Sequence, residues 1–196
     1  MRNPERRPTP GDFFAAECRR LGPRLMGDLG LSDIQAAGLL GNLGHESGGF
    51  RDLQEIAPAV AGSRGGWGLA QWTGPRRRAM EAWCRAHALD PADPEASYGY
   101  LCAELRGTEA AALAALRQAA TLRAATEAVC RRFERPGIVA LPSRLAWAAR
   151  ALAALRSGDA PATPAAGALG PRRAAPAADV PEPAGSAAHV SPGDQP

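Results

Sequence analysis

The sequence predicts a mainly α-helical domain with a small loop or β-hairpin region and a disordered C-terminal tail. Hydrophobic residues make up 45% of the 196 residues, but only 5% are aromatic. The abundant alanines favour helices that approach one another closely. Apolar residues keep a helical spacing up to about residue 156, and Ala, Pro and Gly dominate beyond it. We therefore predict an N-terminal extension over 1–10, one domain over 11–156 and a disordered tail over 157–196.

The first helix is predicted by apolar residues between Phe13 and Leu21 that fall on one side, and Gly22-Pro23 should break or kink it. A second helix begins after Ser32, whose hydroxyl and Gln35 form a capping-box pattern. Gly38 and Gly41 within this helix would allow another backbone to approach closely. The segment Ser47-Gly48-Gly49 predicts its end, because glycine favours the left-handed conformation common at helix exits.

The remaining elements follow from the same signals. Helical periodicity fails between residues 50 and 74, where Gly, Pro and Ser interrupt the chain, so we predict a loop or small hairpin. Further helices are predicted over residues 76–88, 95–106, 109–119, 121–133 and 143–156.

Charge and hydropathy argue against several functional classes. The formal net charge is +3, and every permanently charged basic residue is an arginine. No basic stripe with interleaved aromatic residues predicts nucleic-acid binding. The charged start, without a following apolar stretch, predicts no secretory signal. The most apolar region, residues 110–129, contains Arg117, Arg123 and Glu127, so no membrane span is predicted.

The cysteines predict neither a metal site nor a cofactor. Cys84 and His87 alone stand at ligand spacing, which is half of a zinc ligand set. Four cysteines permit two disulfides, but without a predicted signal the pattern favours four buried thiols between helices. The members of this set are Cys18, Cys84, Cys102 and Cys130.

Glu46 is the strongest candidate for chemistry. It is predicted on the last turn of the second helix, where the negative end of the helix dipole and burial against Leu43 and Trp67 would favour its protonated form. A glycosidase needs such a group to protonate the departing sugar oxygen.

The segment around the tryptophans has the composition of a sugar-binding site. Trp67 and Trp72 could cover pyranose rings, Gln71 could bind hydroxyl or N-acetyl groups, and Gly68 would let the backbone approach the glycan. Packing of both indoles in the core is an equally good interpretation.

The segments His45–Phe50 and Trp67–Trp72 together resemble the phage tail lysozyme family, part of the lysozyme-like superfamily with goose-type lysozymes and lytic transglycosylases. The similarity spans residues 12–155 and includes Phe133–Gly137 and Arg144. It implies a lysozyme-like α+β fold and cleavage between N-acetylmuramic acid and N-acetylglucosamine, with Glu46 at the position of the catalytic glutamate.

A second carboxylate would come from the segment after Glu46, at Asp52 or Glu55. We favour Glu55, because alternation in a short strand would turn Gln54 and Glu55 to opposite faces. Both could equally be solvated loop charges. With a second carboxylate the reaction would be hydrolysis, whereas Glu46 acting alone would allow the muramyl 6-hydroxyl to attack, as in a lytic transglycosylase.

Other polar residues receive supporting roles in this interpretation. His45 faces another side of the helix and is expected to pack or orient, and Glu134 is expected to brace the site through an ion pair. Arg76, Arg77 and Arg78 could meet peptide carboxylates of the cell wall, although a solvated helix face is the simpler interpretation.

The predicted function is therefore a phage- or prophage-tail-associated muramidase that opens the wall locally. Its partners would be peptidoglycan and other tail or baseplate proteins, with no metal or cofactor. It would be made in the host cytoplasm, carried on the tail of a phage or phage-like particle, and act in the periplasm or cell wall. A non-catalytic wall-binding tail component is the alternative from another class.

Overall fold

The computed structural model describes residues 10–55 and 64–157, with side chains from Phe13 onward. The described residues are mainly helical and form no extended strand, which confirms the predicted class. Nearly all of the predicted tail and of the N-terminal extension lies outside these ranges. The helices are α1 Pro10–Leu29, α2 Asp33–Glu46, α3 Gly74–Ala86, α4 Pro94–Arg106, α5 Ala110–Arg117, α6 Leu122–Val129 and α7 Leu141–Arg156. None of these helices is long and apolar enough to cross a membrane.

Of the two outcomes predicted for Gly22-Pro23, a break or a kink, the break does not occur in helix α1. It continues through Pro23 to Leu29 as one helix. Leu25 and Leu29, beyond the proline, are almost completely buried, with relative exposures of 1% and 0%. Their burial favours continuation of the helix and offsets the hydrogen bond that proline cannot donate.

Helix α2 is the central element, packed most extensively against α7 and α6. Its start is the predicted capping box between Ser32 and Gln35. A Cβ atom on Gly41 would lie 2.5 Å from the Ala148 Cα atom, and one on Gly38 would lie 2.7 Å from the Ala125 Cβ atom. Both glycines therefore allow the close helix approach that the sequence predicts.

The chain leaves α2 through the predicted glycine exit. Gly48 and Gly49 have φ angles of +55° and +78°, in the left-handed region. In the described parts of the following segment, residues 50–55 and 64–73, the β-type pairing consists of two isolated antiparallel bridges, Gln54 with Trp67 and Trp67 with Trp72. This loop region brings residues 50–55 and 64–73 beside the end of α2.

Helix α6 ends differently from a plain α-helix. Residues Cys130–Glu134 form a π-helical turn, closed by the Arg135 N–H, which donates to the Cys130 carbonyl at 2.9 Å. Arg135 then adopts a left-handed conformation with φ +50°. Such turns often occur at functional sites, and this one fixes the position of Glu134.

The cysteines are four free, buried thiols, as the sequence favours. Burial raises the pKa of each of them. Within the described ranges, no group of three or more His, Cys, Asp and Glu side chains is placed to hold a metal ion.

Candidate active site

An open cleft of about 310 Å³ lies between the end of α2 and the loop region. It brings together Glu46, both alternatives for the second carboxylate and one of the predicted sugar-binding residues. Its lining comprises Glu46, Asp52, Glu55, Gly66, Gln71 and Thr73. Three acidic side chains on one open concave surface can donate, accept or hold protons around a bound molecule.

Glu46 is the last residue of α2, and its side chain is 27% exposed. Its Oε1 atom accepts a hydrogen bond of 2.6 Å from Nη2 of Arg144 in α7. A guanidinium at this distance makes a charge-assisted hydrogen bond that holds the carboxyl group in one orientation. The structure thus adds to Glu46 a charged partner that the sequence analysis did not consider.

Arg144 is itself held rigidly inside the protein, with a side chain only 2% exposed. Its Nε atom donates to the Val139 carbonyl at 3.0 Å, and Nη1 donates to Asn42 Oδ1 at 3.1 Å. The Asn42 amide in turn donates to the Thr126 carbonyl at 3.1 Å. Glu46 is therefore oriented by a buried polar chain that joins α2, α6 and α7.

Glu55 lies at the edge of the cleft and is fixed by its bridge to Gly66. The Glu55 N–H donates to the Gly66 carbonyl at 3.0 Å, and the Gly66 N–H donates to Glu55 Oε2 at 2.9 Å. This bond orients the Glu55 carboxyl group. Asp52 lies on the same cleft and is exposed.

Gln71 shapes the cleft by holding its backbone. Its Nε2 atom donates to the carbonyls of Asp52 and Gly68 at 2.7 Å and 3.0 Å. Its own φ angle is +46°, a conformation that is uncommon for a residue with a side chain. An uncommon backbone conformation of this kind persists where the surrounding structure fixes it. The side-chain bond from Gln71 to the Asp52 carbonyl holds the segment that carries Asp52.

The other predicted sugar-binding residues do not line the cleft. Trp72 is 1% exposed, and its Nε1 atom donates to Glu104 Oε2 at 2.8 Å. Trp67 is half-buried, and its Nε1 atom donates to the Pro91 carbonyl at 3.0 Å. A Cβ atom on Gly68 would lie 2.7 Å from the Trp72 ring. These residues pack behind the cleft and support its wall.

Two of the three consecutive arginines on α3 belong to internal networks. Arg76 forms two hydrogen bonds to Glu104, from Nε at 2.8 Å and from Nη2 at 2.9 Å. Arg77 is buried, donates to the Gly65 carbonyl at 3.0 Å and pairs with Glu81. Only Arg78 is exposed, so the interpretation of a solvated face holds for it alone.

Glu134 follows the residue whose carbonyl receives a bond from Arg76. Among the described residues it has no ion-pair partner, contrary to the sequence prediction. Its Oε1 atom is buried and has no hydrogen-bond partner. Burial, followed by the charge of Glu46, raises the pKa of Glu134 to about 8, against the opposing influence of Arg76 and Arg144. The shift favours the protonated form of Glu134 near neutral pH.

His45 contacts the helix that holds Arg144. Its Nδ1 atom shares a hydrogen bond of 3.0 Å with Ser143 Oγ. Burial and the charge of Arg144 lower the pKa of His45, while Glu46 opposes this shift. The contact ties the end of α2 to the start of α7.

Three residues beside the site have larger roles than the sequence analysis gave them: Arg144, Glu104 and Glu134. A signal existed for two of these. Arg144 stands in register with the buried Ala148 and Ala151, and Glu104 follows the buried Leu101 by three positions. A charged residue on the apolar stripe of a helix indicates a buried pair. For Glu134 no local signal distinguishes an orphaned carboxyl from a paired one.

A carboxyl at the end of a buried helix, on a cleft with two further carboxyls, gives this mainly helical protein the character of a lysozyme-like glycosidase. The phage tail lysozyme family model matches residues 22–155, more than half of the sequence, and the chain belongs to this family. No significant match is found among curated proteins or among solved structures.

Proposed function

We propose that this protein is a peptidoglycan muramidase that hydrolyses the bond between N-acetylmuramic acid and N-acetylglucosamine, with Glu46 as the general acid. The observation that carries the proposal is the placement of the Glu46 carboxyl on the cleft, oriented by Arg144. Membership of the phage tail lysozyme family supports the class of substrate.

Arg144 suits a carboxyl that must gain and lose a proton without moving. The guanidinium bonds Oε1, and this oxygen can accept that bond whether Glu46 is neutral or charged. The proton is then carried on Oε2 and passes to the departing sugar oxygen as positive charge develops at the anomeric carbon. Once Glu46 is charged, Arg144 stabilises the carboxylate that remains.

Asp52 and Glu55 support hydrolysis because they provide further carboxyls on the same cleft. Glu55 is the preferred second catalytic residue, since the Gly66 amide holds its carboxyl in one orientation. In this role it holds the attacking water or stabilises the developing cation. Gln71 keeps the Asp52 segment in place, while Trp67, Gly68 and Trp72 support the wall of the glycan site.

Membership of the phage tail lysozyme family supports a proposal for the biological setting. We place the enzyme on the tail of a phage or phage-like particle, with other tail or baseplate proteins as partners and the cell wall as its site of action. Local cleavage there would open peptidoglycan for passage of the tail.

The test is replacement of Glu46 by Gln, which keeps the shape of the side chain and removes its acid. We expect the rate of turbidity loss of purified peptidoglycan to fall by roughly 10²–10⁴-fold, with unchanged sedimentation of the protein with the wall. Glu127→Gln is the matched control, because Glu127 lies on α6 in a surface pair with Arg123. An unchanged rate for Glu46→Gln would contradict the proposal.

The products decide the type of reaction. Mass spectrometry of digested peptidoglycan should show reducing muramic acid ends. Anhydromuramyl ends, which are lighter by one water, would instead assign the enzyme to the lytic transglycosylases and remove the hydrolytic role from Glu55.

A further inference from the structure

Thr73 lines the cleft but has no role in the proposed reaction. It is exposed and directly precedes α3, with an extended backbone conformation of φ −118° and ψ 165°. A threonine in this position commonly accepts a hydrogen bond from an amide of the first helical turn. The Thr73 side chain makes no such bond, and its hydroxyl has no other hydrogen-bond partner among the described residues. The hydroxyl is therefore free to bind a molecule in the cleft.

The backbone pairing around Gly66 places Thr73 in one row with Glu55. Trp67 and Trp72 exchange two hydrogen bonds, of 3.1 Å and 2.9 Å, between their N–H and carbonyl groups. Their neighbours Gly66 and Thr73 are therefore the next opposed pair of this antiparallel contact. On the other side of Gly66, the Glu55 N–H donates to the Gly66 carbonyl at 3.0 Å. Gly66 thus lies between Glu55 and Thr73.

The side chains of this row face the cleft. Neighbouring positions of an extended chain alternate between its two faces, and Trp67 and Trp72 pack behind the cleft wall. Glu55, Gly66 and Thr73 accordingly all line the cleft. Paired chains of this kind lie about 5 Å apart, and glycine has no side chain to fill the space between its neighbours. A recess with a carboxyl on one side and a hydroxyl on the other therefore lies at Gly66.

The Gln71 side chain adds a fixed acceptor to this recess. Its Nε2 atom donates to two backbone carbonyls, at 2.7 Å and 3.0 Å, which sets the orientation of the amide. A Cβ atom on Gly66 would lie 2.6 Å from Gln71 Oε1, so this oxygen lies beside Gly66. The Glu55 carboxylate and the Gln71 amide oxygen both accept hydrogen bonds, whereas the Thr73 hydroxyl can donate one. Water matches this set, because it carries two O–H donors and still accepts a bond.

We propose that Thr73 holds the attacking water of the hydrolytic reaction together with Glu55, through a hydrogen bond from the Thr73 hydroxyl to the water oxygen. This inference rests on the proposed function, in which Glu46 is the general acid and Glu55 the second catalytic carboxyl. Thr73 is then a catalytic residue, because it touches the reacting water, and Glu55 acts as the general base.

Atoms and protons balance in this step. The water oxygen forms a bond to the anomeric carbon while the bond from that carbon to the departing sugar oxygen breaks. Glu46 gives its proton to the departing oxygen, and one water proton passes to the Glu55 carboxylate, so the total charge is unchanged. Thr73 keeps its own proton. Exchange with solvent afterwards returns a proton to Glu46 and removes one from Glu55.

Another nucleophile becomes available when no water is held. The muramyl 6-hydroxyl can attack the anomeric carbon, and its proton passes to the Glu46 carboxylate that has just protonated the departing oxygen. The product is an anhydromuramyl end, and neither Thr73 nor Glu55 is needed to form it. The ratio of anhydromuramyl to reducing ends therefore reports whether the water is held.

The test compares Thr73→Val with Thr73→Ser on purified peptidoglycan. Valine keeps the shape of threonine without the hydroxyl, whereas serine keeps the hydroxyl. We expect Thr73→Val to form reducing ends roughly 10- to 100-fold more slowly, because the water loses its position. The ratio of anhydromuramyl to reducing ends should rise by the same factor, since the internal attack is unaffected. Thr73→Ser should stay within a few-fold of wild type in both quantities, which mass spectrometry of the digest provides.

Thr121→Val is the matched control. Thr121 is an exposed threonine at the start of α6, and its hydroxyl accepts a hydrogen bond from the Ala124 N–H at 3.1 Å. Its replacement should lower the urea midpoint of unfolding and leave the product ratio unchanged. Thr73→Val should do the reverse, because its hydroxyl has no bond to lose among the described residues. An equal fall in both kinds of end for Thr73→Val would indicate a structural role and overturn the inference.

The same measurements separate this inference from the proposed function. If the wild-type chain forms reducing ends and Thr73→Val forms them at the same rate and ratio, hydrolysis stands and the role of Thr73 is wrong. If the wild-type chain forms only anhydromuramyl ends, or if Glu46→Gln is fully active, the proposed function is wrong and the water-holding role falls with it.

Discussion

At the scale of single residues, the guanidinium of Arg144 orients the candidate acid. Arg144 bonds three groups from different parts of the chain: Asn42 Oδ1, the Val139 carbonyl and Glu46 Oε1. A planar guanidinium can satisfy these acceptors together, whereas the ammonium group of lysine is a compact point charge. The shape of this side chain therefore matters as well as its charge.

Replacement of Arg144 by Lys should keep the positive charge and lose this geometry. We expect kcat to fall about 10- to 100-fold because the Glu46 carboxyl loses its fixed orientation. Loss of partners for Asn42 and Val139 should lower the free energy of unfolding by roughly 1–3 kcal/mol. Steady-state kinetics and urea denaturation measure both effects. The exposed Arg78→Lys is the control, and wild-type behaviour of Arg144→Lys would show that the guanidinium shape is unimportant.

At the scale of elements, α2 positions the site because its neighbours approach it so closely. Its capping box, its two glycines and its glycine exit were all predictable, since each is a local pattern of adjacent residues. The same local reasoning failed at Pro23, where burial of Leu25 and Leu29 outweighs the breaking tendency of proline. Tertiary packing of this kind is not encoded by neighbouring residues in the chain.

Replacement of Gly41 by Ala should force α2 and α7 apart. The new Cβ atom would lie 2.5 Å from backbone atoms of Ala148, which cannot rotate away as a side chain could. We expect a loss of roughly 1–3 kcal/mol in the free energy of unfolding, and lower activity because Glu46 and Arg144 lie on the separated helices. Urea denaturation and turbidity assays give these quantities.

Gly27→Ala is the matched control for this prediction. Gly27 lies in α1, and a Cβ atom added there meets nothing within 4 Å. The better helix propensity of alanine should raise the stability by up to about 1 kcal/mol. Equal effects of the two substitutions would indicate that the close approach of α2 to α7 is energetically unimportant.

At the scale of the whole molecule, the sequence could not predict contacts between residues that lie far apart in the chain. The helical class, the cleft-lining Glu46 and the lysozyme family were accessible from patterns and motifs. The sequence could not decide whether Trp72 binds sugar on the surface or packs in the core, because composition does not report exposure. The structure shows that Trp72 is buried. The bond between Glu46 and Arg144 spans 98 positions and depends on the crossing of two helices.

Contacts of this kind should make the free energy of unfolding fall both at acidic pH and at alkaline pH, for different reasons. Surface arginines lower the pKa values of several acidic groups, namely Asp33, Glu81, Glu95 and Glu109. An acidic group whose pKa is lower in the folded state stabilises the fold at pH values above its pKa in the unfolded chain. This stabilisation is lost as the pH falls through its pKa in the folded state. Glu134 acts in the other direction, because its pKa is raised from 4.5 to about 8.

Between these two pH values the unfolded chain releases the Glu134 proton and the folded chain keeps it, so the folded state is progressively disfavoured as the pH rises. Replacement of Glu134 by Gln removes this proton from both states. We therefore expect the gain in free energy of unfolding from Glu134→Gln to be larger at pH 8 than at pH 5, by roughly 1–3 kcal/mol. Urea denaturation at the two pH values measures the difference. Parallel pH profiles for both chains would mean that Glu134 ionises alike in the folded and unfolded states, and that its burial carries no electrostatic cost.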